Sequence, residues 1–345
     1  MTRTRKRITG VLLGAVAGCV GVGCVAPAPN QPVALGDPVE QRAMECLKRG
    51  VRYEALPSVR AQAIEALEFR GGRDALPWLR NALMDESPGV RFSAGMALGS
   101  RRDAVSLPAF QKLLRSPTAT DRIVGIYGLH RLGDTSHTSK LAQYLLESRD
   151  LSVRSNAALV LGRIGGAGAT RVLALALSDT DPNLRANVLE AMAIHGSEYA
   201  IDALHASAYG GIGAEETFAI NALGLLRKPE FRKLFRLRLE NSLHVEAKLA
   251  AARALALLGD RRGFDLALAS LTYRASEDIE ADTIENRTRR VRQLAAQALG
   301  AIGDRRALPG LARMMNEAND PRLQVVAAKA VLDIVNRRVV RRAAG

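Results

Sequence analysis

Very few residues of this chain could do covalent or metal chemistry. There are five histidines, His130, His137, His195, His205 and His244, and three cysteines, Cys19, Cys24 and Cys46. A structural or catalytic metal needs ligands brought together at set spacing, such as His-x-x-x-His on one helix face or Cys-x-x-Cys. Neither spacing occurs. There is no Gly-x-Ser-x-Gly elbow and no glycine-rich phosphate loop followed by lysine. The stretch Gly162 to Gly168, GRIGGAG, has the glycine density of a dinucleotide loop, but it follows a helical pattern and not a strand, so it reads as a turn. The expectation is a chain with no catalytic residues, no cofactor and no metal, which binds and does not catalyse.

Charge and lipid chemistry remain. The net charge is +14 and the sequence pI about 10.3. Arg227, Lys228, Arg232, Lys233, Arg236 and Arg238 crowd one stretch, and Arg261, Arg262, Arg305 and Arg306 recur further on. Such clusters attract anionic polymers through counterion release and acidic lipid through its surface potential. Aromatic stacking residues are sparse, at 4%, which disfavours nucleic acid; solvated arginines are the plain alternative. At the start, Arg3, Arg5, Lys6 and Arg7 precede an apolar run, Ile8 to Gly18, too short for the roughly 20 residues a bilayer needs. Residues 1–18 therefore read as a signal peptide. Val16-Ala17-Gly18-Cys19 resembles the bacterial lipobox, which implies lipidation of Cys19 and an exported protein held on a membrane of the bacterial cell envelope, on the periplasmic side. Gly21-Val22-Gly23-Cys24 is a poorer candidate. Residues 19–37, rich in Gly, Ala and Pro, read as a flexible tether. Cys24 and Cys46 could pair in an oxidising compartment or stay free; the spacing decides nothing.

The elements that would position these residues are set by a repeat. Val291 to Asp304, VRQLAAQALGAIGD, shows alanine three residues after Arg292, small or leucine at six and seven, aliphatic at ten and glycine at eleven. Equivalents of Arg292 stand at Arg60, Arg91, Arg122, Arg154, Arg185, Glu216, Lys248 and Gln324, about 31 residues apart except for one gap of 44 before Arg292. A fixed period of this length marks a solenoid. The apolar positions fall on one side at about 100° per residue, and a second helix such as Ala307 to Asn316 precedes each through a turn with Asn, Asp or Pro. The expected fold is an all-α solenoid of about nine two-helix repeats over residues 38–336, with a basic tail at 337–345. Pro38 to Gly50 reads as an incomplete first unit covering one end of the stack, and the last helix as Leu323 to Val335.

The unit resembles a HEAT repeat of the short, phycobilisome-lyase-like type. The residues that carry the likeness are Asp85 to Arg91 (DESPGVR), Asp150 to Arg154 (DLSVR) followed by Asn156 to Gly165 (NAALVLGRIG), and Asp179 to Arg185 (DTDPNLR). The resemblance covers about residues 60–335. It implies an arginine ladder in which each arginine bonds the turn aspartate of its own or the adjoining unit, Arg91 with Asp85 and Arg185 with Asp179 or Asp181; Glu216 interrupts it. Hydroxylases of this type use His-Glu dipeptides, and none occurs here. A bilin-lyase-like enzyme is suggested only by the family name.

The side of the second helix turned away from the packing stripe would carry function. Its middle row runs Glu65, Met96, Tyr127, Leu159, Glu190, Asn221, Arg253, Gln297 and Lys329. Phe92, Met96, Ile123, Tyr127 and Leu159 adjoin one another in units two to four. Exposed on a concave face, they would bind a protein partner; alternatively, curvature buries them between helices. The long gap places an insertion near Ala275 to Thr288, rich in acidic residues and followed by arginines. It is either a binding protrusion or a self-neutralising one.

Overall fold

The computed structural model describes residues 38–70, 72–276, 282–317 and 320–343. The signal peptide, Cys19, Cys24 and the tether expected before residue 38 lie outside them, as do residues 277–281 of the insertion.

The described residues form nine antiparallel helix pairs: α1 Pro38–Val51 with α2 Pro57–Arg70, α3 Leu76–Ala82 with α4 Pro88–Ser100, and α5 Leu107–Leu114 with α6 Ala119–Arg131. They continue as α7 Lys140–Glu147 with α8 Leu151–Ile164, α9 Gly166–Leu175 with α10 Pro182–Ile194, and α11 Glu198–Gly210 with α12 Ala214–Leu225. The last three are α13 Arg232–Asn241 with α14 Val245–Leu257, α15 Phe264–Ser270 with α16 Ile284–Ile302, and α17 Leu308–Met315 with α18 Pro321–Ala343. Local sequence sets their ends. Proline opens α2, α4, α10 and α18, where its missing N–H costs nothing. Asp150 and Asp181 cap α8 and α10 by accepting from backbone N–H groups at 2.8 and 2.9 Å. Glycines with positive φ, Gly165 and Gly303 among them, stop α8 and α16. GRIGGAG is thus the link between α8 and α9, as its helical context predicts.

The second helices of successive pairs pack side by side, with the first helices outside them. Their approach is close where the position eight residues after the repeat origin is glycine or alanine, as at Gly99, Gly162, Ala193, Gly224, Ala256 and Gly300. A Cβ on Gly162 or Gly224 would lie 2.7 Å from the Cβ of Ala191 or Ala254 on the next inner helix, and one on Gly300 would lie 3.3 Å from that of Ala330. The sequence pattern placed Gly300 on the outward side, yet it is buried. An inner helix is flanked by its outer partner and by inner helices on both sides, which leaves only a narrow strip free.

The array has no open end. α18 packs against both α1 and α2. The Cys46 thiol donates to the backbone carbonyl of Gln324 at 3.6 Å, and a Cβ on Gly50 would meet Val325 Cγ2 at 2.8 Å. The nine inner helices therefore close into a ring. This corrects one expectation: Pro38 to Gly50 belongs to a complete helix that docks on the far end of the chain, where an incomplete unit covering an open end was expected. Cys46 is a buried free thiol. The last helix runs past Val335 to Ala343, taking in most of the predicted tail.

Two rims follow from this topology. Turns inside the pairs form a hairpin rim, and turns between pairs form a linker rim on the opposite side.

Candidate partner-binding rim

The apolar residues expected to grip a partner do not form a surface. Phe92, Met96, Ile123 and Tyr127 are buried, and Leu159 is half-buried against the core. Close packing of neighbouring inner helices is the reason, the alternative named for these residues. Tyr127 lies across Gly99, its Cε1 2.6 Å from where a Cβ of residue 99 would sit, and its hydroxyl pairs with Ser100 Oγ at 3.1 Å. The side chains pack between α4 and α6 in place of facing outward.

The rest of the predicted row lines the lumen. Glu65, Glu190, Asn221, Arg253, Gln297 and Lys329 are all half-buried. Ser93 Oγ donates to Glu65 at 3.1 Å, and Arg253 Nη1 donates to Asn221 Oδ1 at 3.1 Å. Burial pushes the carboxyls of Glu65 and Glu190 up to about 7, against the pull of Arg163 and Lys329 on the first and of Arg253 and Arg163 on the second. Charges from units one, four, five, seven and nine thus feel one another across the ring. The residues of this inner row are mostly polar, and no group of three or more possible metal ligands stands among the described residues.

The arginine ladder is present at the hairpin rim. Arg91 Nη1 donates to the carbonyl of Asp85 at 2.7 Å, and Arg185 Nη1 to that of Asp179 at 2.6 Å. The carboxylate comes from the following unit: Arg60 pairs with Asp85 at 2.8 Å, Arg91 with Asp121 at 2.8 Å and Arg154 with Asp179 at 3.1 Å. Arg60, Arg91 and Arg154 therefore each bond their own turn through backbone oxygen and the neighbour through its carboxylate. Glu216 keeps the connection with reversed sign, accepting from Arg238 at 2.7 Å and Ser242 at 3.0 Å. The basic run 227–238 is accordingly largely used inside the fold, since Arg236 also pairs with Asp260 at 3.0 Å and Arg232 donates to the Leu258 carbonyl.

An exposed apolar cluster lies on the hairpin rim, at residues the repeat pattern did not single out. Leu243 is 95% exposed, Ile212 78% and Tyr209 57%. Their turns touch: Arg238 Nη1 donates to the Tyr209 carbonyl at 3.4 Å, and a Cβ on Gly213 would come 3.9 Å from His244 Cε1. His205 stacks between Tyr209 and Phe231, with ring centroids 6.2 and 6.0 Å apart, and stiffens the base. The described part of the insertion comes next. Arg290 holds Asp282 at 2.6 Å and Glu246 at 2.9 Å, so the acidic and basic residues there neutralise one another. Ser242-Leu243-His244 carries leucine in a turn where other units have proline, aspartate or glycine. That substitution is a signal readable in the sequence.

Comparison with known proteins places the chain by its repeats. The family described as HEAT repeats matches residues 46–129 and 138–210, and that described as PBS lyase HEAT-like repeat matches residues 291–317. A search of the curated proteins finds no match. Among solved structures, the complex of CpcE and CpcF of phycocyanin lyase from Nostoc is 19% identical over 67% of this chain and 92% of that one, with a TM-score of 0.41. Human deoxyhypusine hydroxylase is 20% identical over 87% and 97%, with a TM-score of 0.34. Kap121p is 13% identical over 88% and 39%, with a TM-score of 0.34. The chain is a HEAT-repeat protein, an all-α solenoid that includes a PBS lyase HEAT-like repeat.

Proposed function

We propose that the protein is a non-enzymatic scaffold or adaptor, held on a membrane of the bacterial cell envelope through lipidated Cys19, that binds a protein partner. The observation that supports the binding role is the cluster of Tyr209, Ile212 and Leu243 on two touching turns. Large apolar side chains gathered on a rigid rim with polar surroundings are what a protein interface buries. HEAT repeats commonly serve such contacts, and in this reading the contact lies on the hairpin rim and not on the inner faces of α4 and α6. The lipobox-like Val16-Ala17-Gly18-Cys19 supports the anchor; two or three acyl chains hold nearly permanently where one is marginal.

The test is photo-crosslinking in the native host from a probe at position 240, beside the patch, with and without Ile212→Asp and Leu243→Asp. Both positions are exposed, so the double variant should keep its helical circular dichroism and lose the crosslinked species by tenfold or more. An unchanged crosslink would refute the rim as the binding face. Mass measurement of the mature N-terminus tests the anchor separately, and an unmodified Cys19 would remove it.

A further inference from the structure

In most units a glycine in the left-handed region follows the inner helix at the linker rim: Gly133, Gly165, Gly196, Gly259 and Gly303, with φ between 71 and 107°. In two units the equivalent residue is an arginine, Arg102 and Arg227, each with φ 52°. Side chains with a Cβ are strained there, so the fold alone would favour glycine. Both arginines are exposed, and neither guanidinium bonds another described residue.

These two belong to a larger arrangement. Arg73 and Arg102 stand on one side of the seam where α18 meets α1, and Arg227, Lys233 and Arg261 stand on the other, all exposed and all on the linker rim. The linker turns farthest from the seam, 133–139, 165–168 and 195–198, carry Asp134 and Glu198, and the exposed cation beside them is Lys140, the first residue of α7. The basic residues thus form an arc, and Pro38, where α1 begins, sits near its middle. Because the ring closes side by side, the linker turns all lie on one rim of it.

We infer that this arc docks on an anionic lipid bilayer, laying the linker rim on the headgroups and turning Tyr209, Ile212 and Leu243 away from the membrane. An arc of exposed cations along one rim suits a charged plane better than a narrow duplex, which would meet only part of the arc. The inference deepens the reading of a membrane-held protein, but it does not depend on the lipid at Cys19.

The experiment uses the full chain bearing Cys19→Ser and Cys24→Ser, which cannot be acylated. Co-sedimentation is measured with vesicles of phosphatidylcholine alone and with about one-third phosphatidylglycerol. Binding should require the anionic lipid and fall at least tenfold between about 0.1 and 0.5 M salt. Arg102→Gly with Arg227→Gly should lower the partition about 25-fold, at roughly fivefold per cation near the surface, while raising the melting temperature because glycine relieves both backbones. A loss of binding together with loss of fold would show as a lowered melting temperature, and Arg261→Gln then supplies a variant outside the left-handed positions, with about fivefold weaker binding expected. Equal binding to neutral vesicles, unchanged binding in these variants, or tighter binding of the same chain to duplex DNA or an anionic polysaccharide at equal salt would each overturn the inference. Failure of the anchor would appear only in the mass of the native N-terminus and would leave these outcomes untouched.

Discussion

Glu216 shows how a single residue can look like a defect and be a reversal. It occupies the ladder position that arginine holds in five upstream units, is buried, and takes hydrogen bonds from Arg238 and Ser242 of the following unit. Removing one member of a buried pair leaves the other charged and unsolvated, at a cost of about 3 kcal/mol. Glu216→Ala should therefore lower the urea midpoint clearly, Glu216→Arg should lower it further, and Glu216→Arg combined with Arg238→Glu should recover most of the loss. A double variant no better than the single one would mean that the pair is not coupled. The sequence showed the interruption but not its remedy, because Arg238 stands 22 positions away in a run that reads as surface charge. Pairing across units depends on which helices adjoin, and a one-dimensional pattern does not contain that.

At the level of helices, the repeat made the architecture legible: the period, the two helices per unit, the turn residues and the ladder arginines can all be read from residue types. The burial of Phe92, Met96, Ile123 and Tyr127 could not be, because a helical pattern divides a helix into two sides whereas each inner helix here is covered on three. Four glycines eight positions after ladder residues, Gly99, Gly162, Gly224 and Gly300, carry the difference. Gly224→Ala would drive a Cβ to 2.7 Å from Ala254, and overpacking of this kind outweighs the helix-propensity gain, for a net loss of about 1–2 kcal/mol. Gly168→Ala in α9, where nothing lies within 4 Å, should instead stabilise by about 0.5–1 kcal/mol. Paired thermal melts check both signs, and a stabilised Gly224→Ala would contradict the close contact.

The lumen belongs to the whole molecule, since its charges come from helices far apart in the chain. Glu65 and Glu190 hold their protons up to about pH 7, chiefly because burial penalises the carboxylate. Between the ordinary carboxyl value of 4.5 and about 7, the folded chain binds more protons than the unfolded one, so this contribution to stability is present at the acid end and lost as pH rises through 7. Asp103 works in the opposite sense: its hydrogen bonds from Arg80 hold its carboxyl below the usual value of 3.8, and that contribution is lost on strong acidification. Stability should accordingly peak in mildly acid solution. Glu65→Gln with Glu190→Gln should flatten the slope between pH 5 and 7 in denaturation measurements, and an unaltered slope would place its origin elsewhere. The closure of α18 on α1 and α2 has one more consequence. An open stack can gain or lose a unit and merely change length, but here every unit turns the chain through a share of one complete circuit. Nine is thus a closure number: deleting a repeat, or duplicating one, would leave the two termini unable to find each other, so drift in copy number is barred to this protein as it is not to its linear counterparts.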